Sequence, residues 1–468
     1  MATNLRHDVG RPLAPVHRDV LSMIGATPML EFKNLDTWPC RLFGKLEQYN
    51  PGGSIKDRIA WTLVEGAERD GRIAPGGTLV EATSGNTGVG LALVAALKGY
   101  RMVIVIPDKM SQEKIQHLRA FGAEVIVTRS DVPPGHPQYY QTMARRIAEE
   151  TENAFYVHQH GNMDNPRAHE EHTGPEIWAQ MGHELDAVVL GVGTGGTLTG
   201  LGRYFRRVKP DIDIVLADPE GSILVDYIET GETVEAGAWL VEGIGEDDLP
   251  PIGDLSLVDA AYRISDAESF AAARDLVRKE GVLGGSSTGT LLAAALRYCR
   301  AQDREKRVVV IVPDRGDKYL SKMYNDYWML DQGFIKRPQE GNLCDLIARR
   351  HDEHEDFTVA PDDTLLTAHG RMKLYNVSQL PVFEGGQIVG IVDEMDLLRA
   401  VFGHVQEFDH AVREVMSTRL KTLQCSAPLD ELVALLRDGY VALIFQGVDY
   451  RGLVTRIDLL NYLRRRAQ

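Results

Sequence analysis

Cysteine is scarce. The 468 residues contain four, Cys40, Cys299, Cys344 and Cys425, and no two share a CxxC spacing. That excludes a zinc ribbon or a vicinal redox pair, and thiols this scattered suit a reducing compartment. Positive charge is also in deficit: 51 Lys and Arg stand against 67 Asp and Glu, a net charge of −16. Such a surface repels phosphate backbones, which excludes nucleic acid as a partner. The triplet Arg464-Arg465-Arg466 reads as a solvated helix end. No stretch of about 18 apolar residues occurs, so no membrane span is expected; the densest, residues 88–106, is broken by Lys98 and Arg101. The amino terminus lacks the apolar core of a secretory signal, which leaves the cytoplasm as the expected compartment. His158, His160, His169 and His172 have no cysteine or ordered carboxylates beside them, and no metal site is expected.

What is present is alternation. A prior of about 150 residues per domain suggests two to four domains. After a polar arm over residues 1–20, β-branched runs recur at Thr78-Leu-Val, 102–106, 124–127, 187–190, 212–216 and 308–312. These predict buried parallel strands. Helical patterns lie between them, notably over 111–121 and 266–280. The sum is an α/β fold, open twisted sheets with helices on both faces, over residues 21–335. Residues 336–350 are expected to be a linker, and the charged stretch 349–356 an exposed segment. A weak internal repeat follows: Val377-Ser-Gln-Leu-Pro-Val-Phe with Gly390-Ile-Val-Asp-Glu-Met-Asp-Leu-Leu, then Tyr440-Val-Ala-Leu-Ile-Phe with Gly452-Leu-Val-Thr-Arg-Ile-Asp-Leu-Leu. A duplicated unit of this kind predicts two small α+β domains over 351–405 and 406–468, with ligand sites where they meet.

Three segments carry chemistry. In Asn50-Pro-Gly-Gly-Ser-Ile-Lys-Asp-Arg58, a turn capped by Ser54 places Lys56 in the first turn of a helix. The positive end of the helix dipole favours the neutral amine that Schiff-base chemistry needs. In Glu81-Ala-Thr-Ser-Gly-Asn-Thr-Gly88, hydroxyls, the Asn86 amide and backbone N–H groups converge at a helix start suited to a carboxylate or phosphate. In Gly191-Val-Gly-Thr-Gly-Gly-Thr-Leu-Thr-Gly200, glycines let backbone N–H groups approach an anion. This last loop also fits GxGxxG, with Asp218 at the end of the next strand, so by itself it leaves a dinucleotide open.

Together with Glu280-Gly-Val-Leu-Gly-Gly-Ser-Ser-Thr-Gly289, these segments, in this order, resemble the fold-type II pyridoxal-phosphate enzymes of the cysteine synthase and cystathionine β-synthase family. The similarity runs from Ile24-Gly-Ala-Thr-Pro28 to Trp328-Met-Leu-Asp-Gln-Gly-Phe334. The resemblance implies that Lys56 carries pyridoxal 5'-phosphate as a Schiff base and that Asn86 bonds its ring hydroxyl. It implies that Gly193, Thr194, Gly195, Gly196 and Thr197 cradle its phosphate, and that Ser287 faces the pyridine nitrogen. A neutral hydroxyl there favours β-elimination over transamination. It further implies that Thr83, Ser84, Gly85 and Thr87 bind the substrate carboxylate, with Gln159 as another substrate contact and His160 as a second-substrate candidate. The expected reaction is a ping-pong β-replacement in which Lys56 moves the α-proton and a thiol adds to the β-carbon.

The repeat resembles the paired CBS domains of a Bateman module, which cysteine synthases usually lack. The stretch Val241-Glu-Gly-Ile-Gly-Glu-Asp-Asp248 is also closer to the synthases that make cystathionine, and Glu246 there is a candidate substrate contact. Thr173-Gly-Pro-Glu-Ile-Trp178 points the other way. The expected reaction is therefore serine plus homocysteine giving cystathionine and water. The alternatives are cysteine synthesis from O-acetylserine and sulfide, or an adenosyl-ligand sensor with an inactive catalytic domain. The resemblance implies no haem, since His7 and His17 have no cysteine near them and Cys40 lies inside the catalytic region. Thr455 and Asp458 match positions that contact adenosyl ligands, which makes S-adenosylmethionine a candidate effector. In the first copy Asp393, followed by Asp396, would repel a phosphate at the matching place. A homodimer is the family's assembly.

Overall fold

Six strands build the larger sheet of the first unit: β1 (Met29–Phe32), β2 (Arg41–Leu46), β7 (Ala187–Leu190), β8 (Asp213–Pro219), β9 (Ala260–Ile264) and β10 (Arg307–Val312). A smaller sheet contains β3 (Thr78–Ala82), β4 (Arg101–Pro107), β5 (Glu124–Thr128) and β6 (Ala154–Tyr156). The orders are β1-β2-β10-β7-β8-β9 and β5-β4-β3-β6, and every pairing is parallel except β1 with β2. The structure, a computed structural model, describes residues 16–83, 85–108, 112–354, 356–402 and 408–467. It divides into two units, one ending at Tyr324 and the other beginning at Asn325.

All six strands predicted from apolar runs are present. Five of them, β3, β4, β7, β8 and β10, are buried on both faces, which is why their runs are so apolar: β3 and β7 expose no residue, whereas β5 is a partly exposed edge. The helix predicted over 266–280 is also present, with Ser265 and Glu268 closing a capping box at its start. Helices Lys56–Arg69 and Asn86–Lys98 pack on the small sheet, where Ile59 and Leu63 share a core with Leu91, Val94 and Ile104. Gly90 lets these helices meet closely. A Cβ there would lie 3.0 Å from Ala60 Cβ and 3.1 Å from the Lys56 carbonyl oxygen. This contact fixes the start of one helix against the other.

The second unit contains β11 (Gln379–Glu384) paired antiparallel with β12 (Gln387–Asp393), and β13 (Thr422–Gln424), β14 (Ala442–Gln446) and β15 (Asp449–Val454) in one sheet. The repeat is visible in detail. Both hairpins carry a register shift, at Val382/Phe383 and at Ile444/Phe445, and each leads into a helix, Glu394–Val401 and Arg456–Ala467. Asp393 and Asp396 form a capping box at the first of these helices, so the acid expected to repel phosphate has a structural role as well.

Two expectations need correction. Cys344 and Cys425 are not scattered: they are disulfide-bonded, with Cα atoms 5.3 Å apart, because the buried turn Leu343–Leu346 packs beside the end of β13. The stretch 349–356 is not simply solvated either. Arg350 is buried, and His351 bonds Asp356 at 2.9 Å and stacks on Phe383. Among the described residues, no helix is long and apolar enough to cross a membrane.

Candidate functional site

Lys56 is the first residue of its helix, and its N–H meets Ser54 Oγ at 3.2 Å. The preceding turn is anchored across the chain, since Ile55 N–H donates to the Pro313 carbonyl at 2.8 Å and Ser54 bridges to Asp314. The side-chain amine is thereby held in the interior. Burial pushes its pKa down, against the opposing pull of Glu246 and Asp314. A neutral amine is a nucleophile and a proton acceptor; an ammonium is neither.

Asn86 opens the neighbouring helix at the end of the β3 turn. Its Nδ2 donates to Asp314 Oδ2 at 2.9 Å, and its Oδ1 accepts from Lys318 Nζ. Thr87 Oγ1 donates to Gln159 Oε1 at 2.6 Å, and Gly85 N–H to Thr83 Oγ1 at 3.3 Å. The third loop leaves β7 and turns at Gly195, whose φ is +86°. Asn165 braces it by donating to Thr194 Oγ1 at 3.0 Å and to the Gln159 carbonyl at 2.9 Å. His169 bonds Thr197 Oγ1 at 3.3 Å and Thr173 Oγ1 at 3.0 Å. Burial lowers the pKa of His169 to about 3, so it braces the loop as a neutral ring.

These pieces converge. A cavity of about 60 Å³ is lined by Lys56, Asn86, Gly193, Thr194, Gly195, Thr197 and Ser287, together with Asp314. Lys56, Asn86, Gly193 and Thr194 also line a larger cavity of about 600 Å³, whose walls include Thr83, Gly85, Thr87, Gln159 and Glu246. Gly196 stands outside both linings and faces Asn165 instead. Ser84 lies outside the described residues. Thr455 and Asp458 line a separate cavity of about 580 Å³ in the second unit, where Thr455 N–H and Oγ1 both donate to Asp458 Oδ2, at 2.7 and 2.6 Å.

Two side chains on the wall of the large cavity are shifted toward their neutral forms. Burial raises the Glu246 carboxyl to about 8, helped by Asp247, and lowers His160 to about 4, helped by Lys56. Beneath it, Glu81 on β3 is fully buried and raised to about 8 by burial. Its folded-state value exceeds that of the unfolded chain, so the folded protein holds a proton that the unfolded chain releases. The stability tied to that proton is present at low pH and lost as pH rises toward 8. Glu81→Gln should therefore flatten the fall in Tm between about pH 5 and pH 8, as thermal melts would read. An unchanged slope would mean that Glu81 does not hold that proton.

Asp314, Lys318, Asn165 and His169 were not nominated as site residues from the sequence. Asp314 left a usable signal: it follows the carboxyl end of a predicted parallel strand, where open α/β sheets place their ligands. Asn165 and His169 left none. Among the described residues, no group of three or more His, Cys, Asp or Glu could hold a metal.

Comparison with known proteins gives the family of each unit. The family described as "Pyridoxal-phosphate dependent enzyme" matches residues 20–314, and "CBS domain" matches residues 353–403 and 412–465. The cystathionine beta-synthase of Apis mellifera is 42% identical over 457 residues, 95% of this chain and 90% of that protein. That of Oryctolagus cuniculus is 37% identical over 475 residues, 96% and 85%. Among solved structures, a hydrogen sulfide-producing enzyme from Fusobacterium nucleatum is 36% identical with a TM-score of 0.61, over 66% of this chain and 100% of that one.

Proposed function

This chain belongs to the pyridoxal-phosphate dependent enzymes, and from that premise we propose that it condenses L-serine with L-homocysteine to give L-cystathionine and water, a step of transsulfuration toward cysteine. The observation that carries the reading is the Lys56 amine, buried and with its pKa lowered, in a cavity walled by a glycine-rich bend.

The residues present fit the cofactor. A Cβ on Gly193 would lie 2.7 Å from the Gly243 carbonyl oxygen, and one on Gly195 2.4 Å from Gly253 Cα. The bend is therefore bare backbone, able to approach an anion, and a helix N-terminus follows it at Gly196. On this reading Lys56 holds the cofactor aldehyde carbon, Asn86 the ring hydroxyl, Ser287 the ring nitrogen, and Gly193 to Thr197 the phosphate. When bound, the cofactor supplies an electron sink for bonds at the substrate α-carbon.

The chain's own residues do the rest. The Lys56 amine takes the α-proton and returns a proton to the departing hydroxyl. Thr83, Ser84, Gly85 and Thr87 hold the serine carboxylate, with Gln159 positioned by Thr87. Glu246, carrying its proton at neutral pH, and His160, neutral, meet the second substrate. A protonated carboxyl there does not repel the anionic end of an incoming amino acid.

In the second unit, the Thr455–Asp458 cavity takes an adenosyl ligand such as S-adenosylmethionine. Its volume and its mixed polar and aromatic walls, including Tyr440 and Phe357, support that reading. On the same reading the protein carries no haem and works as a homodimer in the cytoplasm, where the buried Cys40 and Cys299 stay free thiols and the Cys344–Cys425 bond is the exception.

The test is kinetic. Serine with homocysteine should give the higher kcat/KM, measured against O-acetylserine with sulfide, with S-adenosylmethionine present and absent. A strong preference for the acetylserine pair would replace this assignment with cysteine synthesis. The effector reading requires S-adenosylmethionine to bind and to change the rate.

A further inference from the structure

The Asn86 carboxamide is held from both ends by groups that cannot exchange roles. Lys318 Nζ is an obligate donor and faces Oδ1; Asp314 Oδ2 faces Nδ2 and accepts from the Tyr319 hydroxyl as well, and while burial raises the Asp314 carboxyl, Lys318, Asn86 and Tyr319 all favour its ionised form. Turning the amide over would set –NH2 against an ammonium and C=O against a carboxylate. Both bonds as found are charge-assisted, roughly twice as strong as neutral ones. An amide nitrogen has two N–H groups, and Asp314 takes one. Asp314 is itself fixed: Tyr319 OH donates to Oδ2 at 3.0 Å, and its backbone carbonyl accepts from Gly285 N–H. Its Oδ1 packs where a Cβ on Gly285 would stand, at 1.9 Å.

We propose that Asp314 and Lys318 are positioning residues that lock the Asn86 carboxamide with its second N–H aimed at the ring oxygen of the bound cofactor, holding that oxygen as the anion. The proposal rests on the reading that the cofactor is joined to Lys56. A fixed N–H donor stabilises the anion, so the lock keeps the ring oxygen ionised at lower pH. An unlocked amide can present its carbonyl oxygen instead, and the oxygen then retains its proton to higher pH.

The measurement uses the full-length, cofactor-loaded protein. The visible band of the lysine-bound cofactor, near about 410 nm, is followed against pH. Lys318→Met should raise the midpoint by about one pH unit, and Lys318→Arg, still only a donor, should hold it at the wild-type value. Asp314→Ala separates the lock from plain electrostatics. Removing a nearby negative charge would by itself lower the midpoint, whereas losing the acceptor for Asn86 should raise it. Lys56, His117, His160, Glu242 and Glu246 also face this cavity, as do Asp317, Tyr319 and Lys322, and all of these remain in each variant. Borohydride trapping with peptide mapping runs alongside. A label on Lys56 with an unmoved midpoint in Lys318→Met, or a lowered one in Asp314→Ala, overturns the proposal. Should Asp314→Ala fail to fold, Lys318→Gln decides: it loses the charge but keeps an N–H donor for Asn86 Oδ1, so the lock requires a smaller rise than in Lys318→Met, and an equal rise overturns the proposal. A wild-type label absent from Lys56 removes the reading of the site itself, and this proposal with it.

Discussion

Lys56→Ala should lower kcat by about 10⁴-fold or more and abolish the visible cofactor band. Two functions vanish together, the covalent hold on the cofactor and the proton transfer at the substrate, so the loss is larger than removal of a single acid or base. The fold should survive. The amine is taken out of water, and burial is what lowers its pKa, so removing it relieves a desolvated group instead of breaking a needed contact. Thermal melts of the cofactor-free variant should therefore match or exceed those of the cofactor-free parent. An active Lys56→Ala enzyme would refute the assignment of this amine. A collapsed melting temperature would mean that its packing had been misjudged.

Gly195→Ala should weaken cofactor binding by at least about 100-fold, equivalent to about 2.7 kcal/mol. Two costs combine. The backbone φ of +86° is unfavourable for any L side chain, by roughly 1–2 kcal/mol. The new Cβ would also stand 2.4 Å from Gly253 Cα and 2.7 Å from Gly253 N. Those are backbone atoms, which cannot rotate aside, so the bend itself must move away from the position that cradles the phosphate. Gly122→Ala is the control. Its φ is +83°, but nothing lies within 4 Å of the added Cβ. It should carry the backbone cost in stability and leave cofactor affinity unchanged. Fluorescence titration of both cofactor-free variants separates the two terms, and equal affinities would show that the bend tolerates the displacement.

Legibility in the sequence followed burial. Strands covered on both faces announce themselves as unbroken apolar runs, which is why β3, β4, β7, β8 and β10 could be read directly. The weaker edge strand β5 was legible too, because Val125-Ile126-Val127 remain apolar. The strands β1, β6 and β9 are edges with mostly half-exposed residues, and β6 has only three. β2 hid for a different reason. It carries Lys45, an apparent surface residue that is fully buried, where it bonds Glu176, Gln180 and the Thr27 carbonyl. The site loops were legible because glycine and small polar residues crowd together where a strand meets a helix. Asn165 and His169 were not, because a side chain that braces a loop from behind looks like any polar residue within a helix. The Cys344–Cys425 bond was equally hidden, since its partners are 81 residues apart and meet only through the fold.

The anchoring of Ile55 and Ser54 on Pro313 and Asp314 has a consequence for biosynthesis. The turn that presents the reactive amine leaves the ribosome early, yet the strand end that locks it is among the last parts of the first unit to emerge. A nascent chain stalled before β10 would have both glycine-rich loops and the lysine but would lack the Pro313 and Asp314 contacts that anchor the lysine turn. Loading of the prosthetic group must then await completion of the larger sheet, which makes it a late maturation event instead of a template for folding.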